Sequence, residues 1–185
     1  SKGTRLRALT GSFGPRYIAS RAAYAIASHA ALDAYANERG AKDVVVLACF
    51  GDPGLAALKE VSPVPVVGMA DASILQACAM GNRFSIVTGG ERWKSMLEEF
   101  VAGHGLTSRL ASVRTVAPTG ADIARNPTAA MELLAKGCSA CVEEDGADVV
   151  ILGGAGLAGL AAKLKPMVDA PLLDGVACAI SMAEG

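Results

Sequence analysis

Two unbroken apolar runs, Val44-Val45-Val46-Leu47 and Val149-Val150-Ile151-Leu152, stand out in a chain whose other apolar residues are interrupted by Gly, Pro or charge. Strands buried on both faces read this way, whereas half-exposed strands alternate apolar and polar positions. Shorter β-branched or apolar runs extend the pattern and predict strands over residues 5–10, 43–49, 65–69, 84–88, 111–116, 149–153 and 171–173. Ala-rich stretches between them predict helices over residues 18–39, 56–60, 72–80, 91–103, 128–145, 158–165 and 176–184. Asn126-Pro127-Thr128 and the Asp71/Ser73 region supply helix starts, and Gly40, Gly81, Gly105 and Gly146 supply stops. Strands alternating with helices in this order imply a parallel sheet covered by helices, an α/β fold.

The pattern also repeats. Residues 43–57 (Asp-Val-Val-Val-Leu-Ala-Cys-Phe-Gly-Asp-Pro-Gly-Leu-Ala-Ala) align without gaps on residues 148–162 (Asp-Val-Val-Ile-Leu-Gly-Gly-Ala-Gly-Leu-Ala-Gly-Leu-Ala-Ala), with more than half the positions identical. Val64-Pro65-Val66-Val67-Gly68 and Ala170-Pro171-Leu172-Leu173-Asp174 follow at nearly the same offset. A duplicated strand–turn–helix–strand unit with so few copies is not a solenoid. It predicts two pseudo-symmetric lobes, each a mainly parallel sheet flanked by helices, with a ligand cleft between them. The chain then reads as a single domain over residues 1–185, with the lobes exchanging near 70–90 and 170–185.

Composition narrows the class. In 185 residues, 17 Lys/Arg against 18 Asp/Glu leave a formal charge of −1. Nucleic-acid and anionic-membrane surfaces need excess basic charge, so neither partner is expected. Mean hydropathy is +0.38, but no apolar run approaches the ~20 residues of a spanning helix, and no signal segment opens the chain. The expected setting is cytoplasmic. Five cysteines, an odd number and widely spread, do not make a disulfide framework. Cys138 and Cys141 have CxxC spacing, but they fall inside a helical run and have no second ligand pair. They read as buried helix cysteines, and no metal is expected.

Ligands of open α/β sheets bind beyond the carboxyl ends of the strands. In the repeated unit those ends are Ala48-Cys49-Phe50-Gly51 and Gly153-Gly154-Ala155-Gly156. Glycines there expose backbone N–H groups suited to a carboxylate, an imide oxygen or an enolate. Cys49 is placed to project toward such a ligand, and a thiol near a helix N-terminus has a lowered pKa. It could then move a proton on a carbon next to a carbonyl while the amides hold the enolate.

These segments, with Phe84-Ser85-Ile86-Val87-Thr88, Arg92-Trp93, residues 143–148 and 171–176, together resemble the Asp/Glu/hydantoin racemase superfamily, and hydantoin racemases in particular. The block Cys49-Phe50-Gly51-Asp52-Pro53-Gly54 is its most specific part. The resemblance implies two pseudo-symmetric α/β lobes, no cofactor, homo-oligomers, and two opposed cysteines acting as acid and base. The implied substrates are 5-substituted hydantoins, allantoin or acidic amino acids. It makes Cys49 the catalytic residue, with Phe50, Gly51, Thr88, Gly154, Ala155, Gly175 and Val176 binding the small hydantoin, imide or carboxylate ligand.

Two features depart from that pattern. Where the family reads Leu-Gly-Cys-Ala-Gly, this chain has Leu152-Gly153-Gly154-Ala155-Gly156, so the second thiol is absent. The first ten residues match the family's second strand, so the resemblance implies an amino-terminal strand that the segment does not contain. Gly154 leaves three accounts open. One thiol could work with a water or a residue from the amino-terminal segment. The reaction could be one-sided, as in the superfamily's decarboxylases. Or the chain could bind a small ligand without turnover.

Other residues carry two readings each. Thr88 is either a substrate contact or a cap of the following helix. Asp52 is an orienting carboxylate or, beside Pro53-Gly54, a turn or cap residue. Asp174 caps the last helix and, with Gly175 and Val176, could also offer N–H groups to an anion. Trp93 and Phe100 suit one helix face, in the core or an interface. His29 and His104 read as surface residues.

Overall fold

A computed structural model describes residues 3–116 and 127–185. In chain order the helices are α1 (Arg21–Asn37), α2 (Leu55–Val61), α3 (Met69–Met80), α4 (Trp93–Gly103), α5 (Pro127–Glu143), α6 (Leu160–Leu164) and α7 (Gly175–Glu184). The strands are β1 (Val45–Leu47), β2 (Val66–Gly68), β3 (Phe84–Thr88), β4 (Leu110–Thr115), β5 (Val149–Gly153) and β6 (Leu172–Asp174). They form a two-stranded parallel sheet, β1-β2, and a four-stranded parallel sheet ordered β4-β3-β5-β6. The mixed α/β architecture is the one that the strand–helix alternation predicts.

The apolar runs explain the larger sheet. Along β5, Val149 and Ile151 face one core cluster with Phe84, Ile86, Leu97 and Val101. Val150 and Leu152 face a second cluster with Leu134, Cys138, Cys141 and Leu164. Side chains alternate across a strand, so a strand covered on both faces needs apolar residues at every position. All five β5 residues are buried. Each fully buried Leu, Ile or Val contributes roughly 1.5–3 kcal/mol of transfer free energy. Cys138 and Cys141 are fully buried in the second cluster, as helix cysteines expected to pack. Trp93 is also buried, and Phe100 packs partly buried against the first cluster.

The repeat is visible in the backbone. Gly54 precedes α2 at φ +83°, and Gly159 precedes α6 at φ +80°, the aligned position of the second unit. This left-handed conformation favours glycine, which accounts for its retention in both copies. The helices that follow the second strand of each unit, α3 and α7, pack on each other. Helix α3 also contacts β5, and α7 contacts β1 and β2, so each unit's helix reaches the other unit's sheet.

Two predicted elements differ. Residues 5–10 form no strand: they are irregular and exposed and join neither sheet. Only Leu6, Ala8 and Leu9 of this stretch are apolar, and its exposed backbone joins no strand. Helix α3 begins at Met69, directly after β2, and not at the Asp71/Ser73 signal. Its N-cap residue, Gly68, has no side chain to cap with. The capping groups come from far along the chain. Asn126, part of a predicted helix start, lies outside the described residues.

Candidate active site

Cys49 follows β1 and opens a tight turn, with the Asp52 N–H donating to the Cys49 carbonyl at 3.0 Å. Two residues from elsewhere and one of its own fix that turn. From α1, the Tyr24 hydroxyl donates to the carbonyls of Gly51 (2.8 Å) and Asp52 (3.2 Å). The Trp93 ring lies over Gly51, where an added Cβ would approach it to 2.7 Å. Gly51 itself sits at φ +94°. Asp52 supplies the third tie. Its carboxylate accepts the N–H of Ala70 at 3.0 Å and of Asp71 at 2.8 Å, the first free donors of α3.

Asp52 is therefore a cap, as one reading of the turn expected, but it caps a helix 18 residues further along the chain. It is 2% exposed and sits at φ +52°, a left-handed conformation that Asp tolerates better than most side chains. The second unit has the same brace built from the other end. Asp174, at the start of α7, accepts from Val176 N (2.9 Å) and Ala177 N (3.1 Å), and it also accepts from Gly159 N in the turn before α6. In one unit the carboxylate lies on the turn, and in the other it lies at the helix start. Asp174 thus caps α7, and the Val176 amide is engaged in that cap.

Phe50 brings the two strand ends together. Its ring is buried, with Cε1 at 2.8 Å from where a Gly153 Cβ would stand and Cδ2 at 3.4 Å from the corresponding Gly175 position. These two glycines provide the space that the ring occupies. Phe50 is accordingly a packing residue between the units. Its aligned partner, Ala155, is exposed. Thr88, at the end of β3, is also buried and donates to the Gly153 carbonyl at 2.6 Å. It does not cap α4, whose N-cap position is Arg92. Thr88, Phe50, Gly153 and Gly175 thus gather beside the turn that holds Gly154.

The electrostatics of Cys49 differ from the sequence expectation. Burial pushes the thiol up to about 11, and the neighbouring Asp52 charge adds to the rise. Helix α2 begins only at Leu55, beyond the turn, so Cys49 does not stand at its N-terminus. A lowered pKa is therefore replaced by a raised one. The residue is nonetheless half-buried, as is Cys78, whereas Cys138, Cys141 and Cys178 are buried. Burial also pushes the Asp52 carboxyl up to about 6, against the opposing pull of the Ala70 and Asp71 N–H groups. Burial, then the Asp52 and Cys49 charges, raise the Tyr24 hydroxyl.

Gly154 is more than a missing side chain. It holds φ +140° and ψ 133°, a conformation open to glycine and rarely to other residues. Space for a Cβ is present, with only Leu157 Cγ at 3.9 Å, so the backbone sets the constraint. Two open surface hollows of about 470 and 650 Å³ lie along α7, one of them lined in part by Asp174 and Val176. Neither is lined by Cys49, Phe50 or Gly154. The strand-end geometry, and not these hollows, defines the candidate site. Among the described residues no cluster of three His, Cys, Asp or Glu could hold a metal ion.

Tyr24 gave no signal in the sequence, because its partners lie 27 and 28 residues away on a turn. Tyr17 was equally silent as a contact, and its hydroxyl donates to the Gly89 carbonyl at 3.1 Å. His104, read as a surface residue, lies 3.0 Å from Asp71, which also pairs with Lys59 at 2.9 Å.

The sequence profile described as Asp/Glu/Hydantoin racemase matches residues 1–183. The chain belongs to the Asp/Glu/hydantoin racemase family. It is 40% identical over 148 residues to a hydantoin racemase of Pseudomonas sp., covering 80% of this chain and 59% of that protein. It is 36% identical over 184 residues to a hydantoin racemase of Paenarthrobacter aurescens, covering 98% of this chain and 78% of the relative. The crystal structure of an allantoin racemase from Pseudomonas fluorescens superposes with a TM-score of 0.96 at 32% identity, over 100% of this chain and 78% of that one. The Pseudomonas sp. match thus spans well under two thirds of that relative's length.

Proposed function

We propose that this protein is a cofactor-independent racemase or isomerase of the hydantoin racemase type. In this reading Cys49 transfers a proton at a carbon next to a carbonyl. The observation that carries the reading is the half-buried Cys49, held on a turn fixed by Tyr24, Asp52 and Trp93, whose Phe50 ring packs at Gly153 on the end of β5. The relatives at 36–40% identity are hydantoin racemases, and the superposed structure is an allantoin racemase. Hydantoins and allantoin share a five-membered cyclic imide with a hydrogen on the carbon beside a carbonyl, so one site chemistry serves both.

The proposed step is balanced simply. The Cys49 thiolate takes the ring C–H proton and becomes the thiol, and the C–H electron pair moves into the carbonyl as an enolate. In this reading backbone N–H groups near Phe50–Gly51 and Gly154–Ala155 receive the oxygen's negative charge. Return of a proton to the opposite face inverts the centre. With glycine at position 154, that second proton comes from water or from a residue outside the segment described. Because the thiol is pushed up to about 11, the thiolate is scarce at neutral pH, and the rate rises with pH through the alkaline range.

Loss of optical rotation by a single enantiomer of allantoin or a 5-substituted hydantoin tests the proposal. Decay with wild type and none with Cys49→Ser supports it. No decay with any of these substrates refutes it. The same reading includes a homo-oligomer, which sedimentation of the purified chain tests. No helix among the described residues is long and apolar enough to cross a membrane.

A further inference from the structure

The carboxylate of Asp52 has a place in the site that a cap alone does not require. It is 2% exposed, lies in the same turn as Cys49, and occupies a left-handed backbone conformation. Gly68 makes room for it: a Cβ there would fall 2.2 Å from Oδ2. In the second unit the carboxylate belongs to Asp174 at the helix's own start, which caps α7 and reaches back to Gly159 N of the turn. Only in the cysteine-bearing unit is the carboxylate carried by a residue of the turn itself, where the second unit has Leu157.

We propose that Asp52 is a positioning residue of the Cys49 site: its carboxylate ties the cysteine turn to the start of α3 and holds a negative charge on the same turn as the thiol. The assignment rests on Cys49 as the reacting group of the proposed reaction. The charged and titratable groups facing this pair are few. Tyr24 approaches from α1, and Asp71 approaches Asp52 from α3. Asp71 is itself held by Lys59 of α2 and by His104 after α4. The ionised Asp52 carboxylate favours the thiol over the thiolate. Burial raises the thiol further and is the larger cause.

The test is the pH dependence of Cys49 alkylation by iodoacetamide, followed by mass spectrometry of the Cys49 peptide. Asp52→Asn keeps the shape, one acceptor oxygen and tolerance of positive φ, and removes the charge. A midpoint lower by about one pH unit is expected. At pH 8 the thiolate then rises about tenfold and each thiolate reacts more slowly, for a net gain of roughly three- to fourfold. Asp52→Gly carries the same measurement without backbone strain if Asp52→Asn does not fold. A midpoint unmoved in a folded variant overturns the assignment and leaves a purely structural cap, whose loss changes stability and not the profile. Alkylation needs no substrate, so a wild-type chain without racemase turnover refutes the proposed function and leaves this result readable.

Discussion

Gly68→Ala adds a single methyl group where the brace between the two halves of the first unit is tightest. Gly68 lies at φ −82°, so alanine meets no backbone strain. The new Cβ would stand 2.2 Å from Asp52 Oδ2 and 2.6 Å from both Asp52 Cγ and Leu55 Cδ2. The leucine methyl can rotate away. The carboxylate cannot move without leaving the N–H groups of Ala70 and Asp71, which it holds at 3.0 and 2.8 Å. Hydrogen bonds to a charged group contribute about 1.5–3 kcal/mol each, and a buried carboxylate left without them costs more. Partial relaxation should leave a net loss of about 3 kcal/mol. For a chain of this size that corresponds to a fall of roughly 6–12 °C in melting temperature. Urea unfolding of Gly68→Ala, Asp52→Gly and the double variant measures it. The double variant should be no less stable than Asp52→Gly alone, giving a coupling of at least ~2 kcal/mol. Additive losses, or a Gly68→Ala cost below ~1 kcal/mol, would mean the methyl is accommodated without displacing the carboxylate, and the brace would be refuted.

Other substitutions probe independent parts. Arg114 grips Asp145 through Nε at 2.6 Å and a second nitrogen at 2.8 Å, and Ser112 adds a hydroxyl at 2.6 Å. The Arg114 hydrogen bonds hold the Asp145 carboxyl below the usual range, so its stabilisation is present above the unfolded carboxylate pKa and lost as pH falls through the folded one. Asp145→Asn should cost about 1–2 kcal/mol at pH 7, after allowance for partial exposure, and the difference from wild type should vanish in acid. Urea unfolding as a function of pH reads both. Gly154→Cys should lower stability by about 1–3 kcal/mol through the φ +140° backbone, measured by thermal unfolding. If the loop accommodates the thiol, the ratio of inversion to isotope exchange should rise above wild type.

The sequence made the sheets and the repeat legible because both depend on local pattern. Runs such as Val149 to Leu152 must be apolar at every position when a strand is covered twice. Gly54 and Gly159 recur because the same turn recurs. Cys49 was legible as a strand-end residue through its glycine-rich context. What stayed hidden depends on contacts far along the chain. Asp52 reads locally as a turn residue, yet its carboxylate serves α3, and the start of α3 was misplaced for the same reason. Tyr24 sits on an unremarkable Ala-rich helix, and only the folded chain sets its hydroxyl against the Cys49 turn. The thiol's proton affinity was not legible, because a glycine turn and not a helix start follows Cys49, and burial and a neighbouring carboxylate raise its pKa. Residues 5–10, predicted as a strand, join neither sheet.

Incubating one enantiomer of a 5-substituted hydantoin in D₂O, with proton NMR and chiral chromatography in parallel, follows the reacting carbon itself. Wild-type protein should replace the ring C–H by deuterium faster than buffer does, with a rate that climbs with pH and falls to the buffer rate in Cys49→Ser. Exchange that proceeds equally well in Cys49→Ser, or that wild type does not accelerate at any pH, would remove this cysteine from the chemistry.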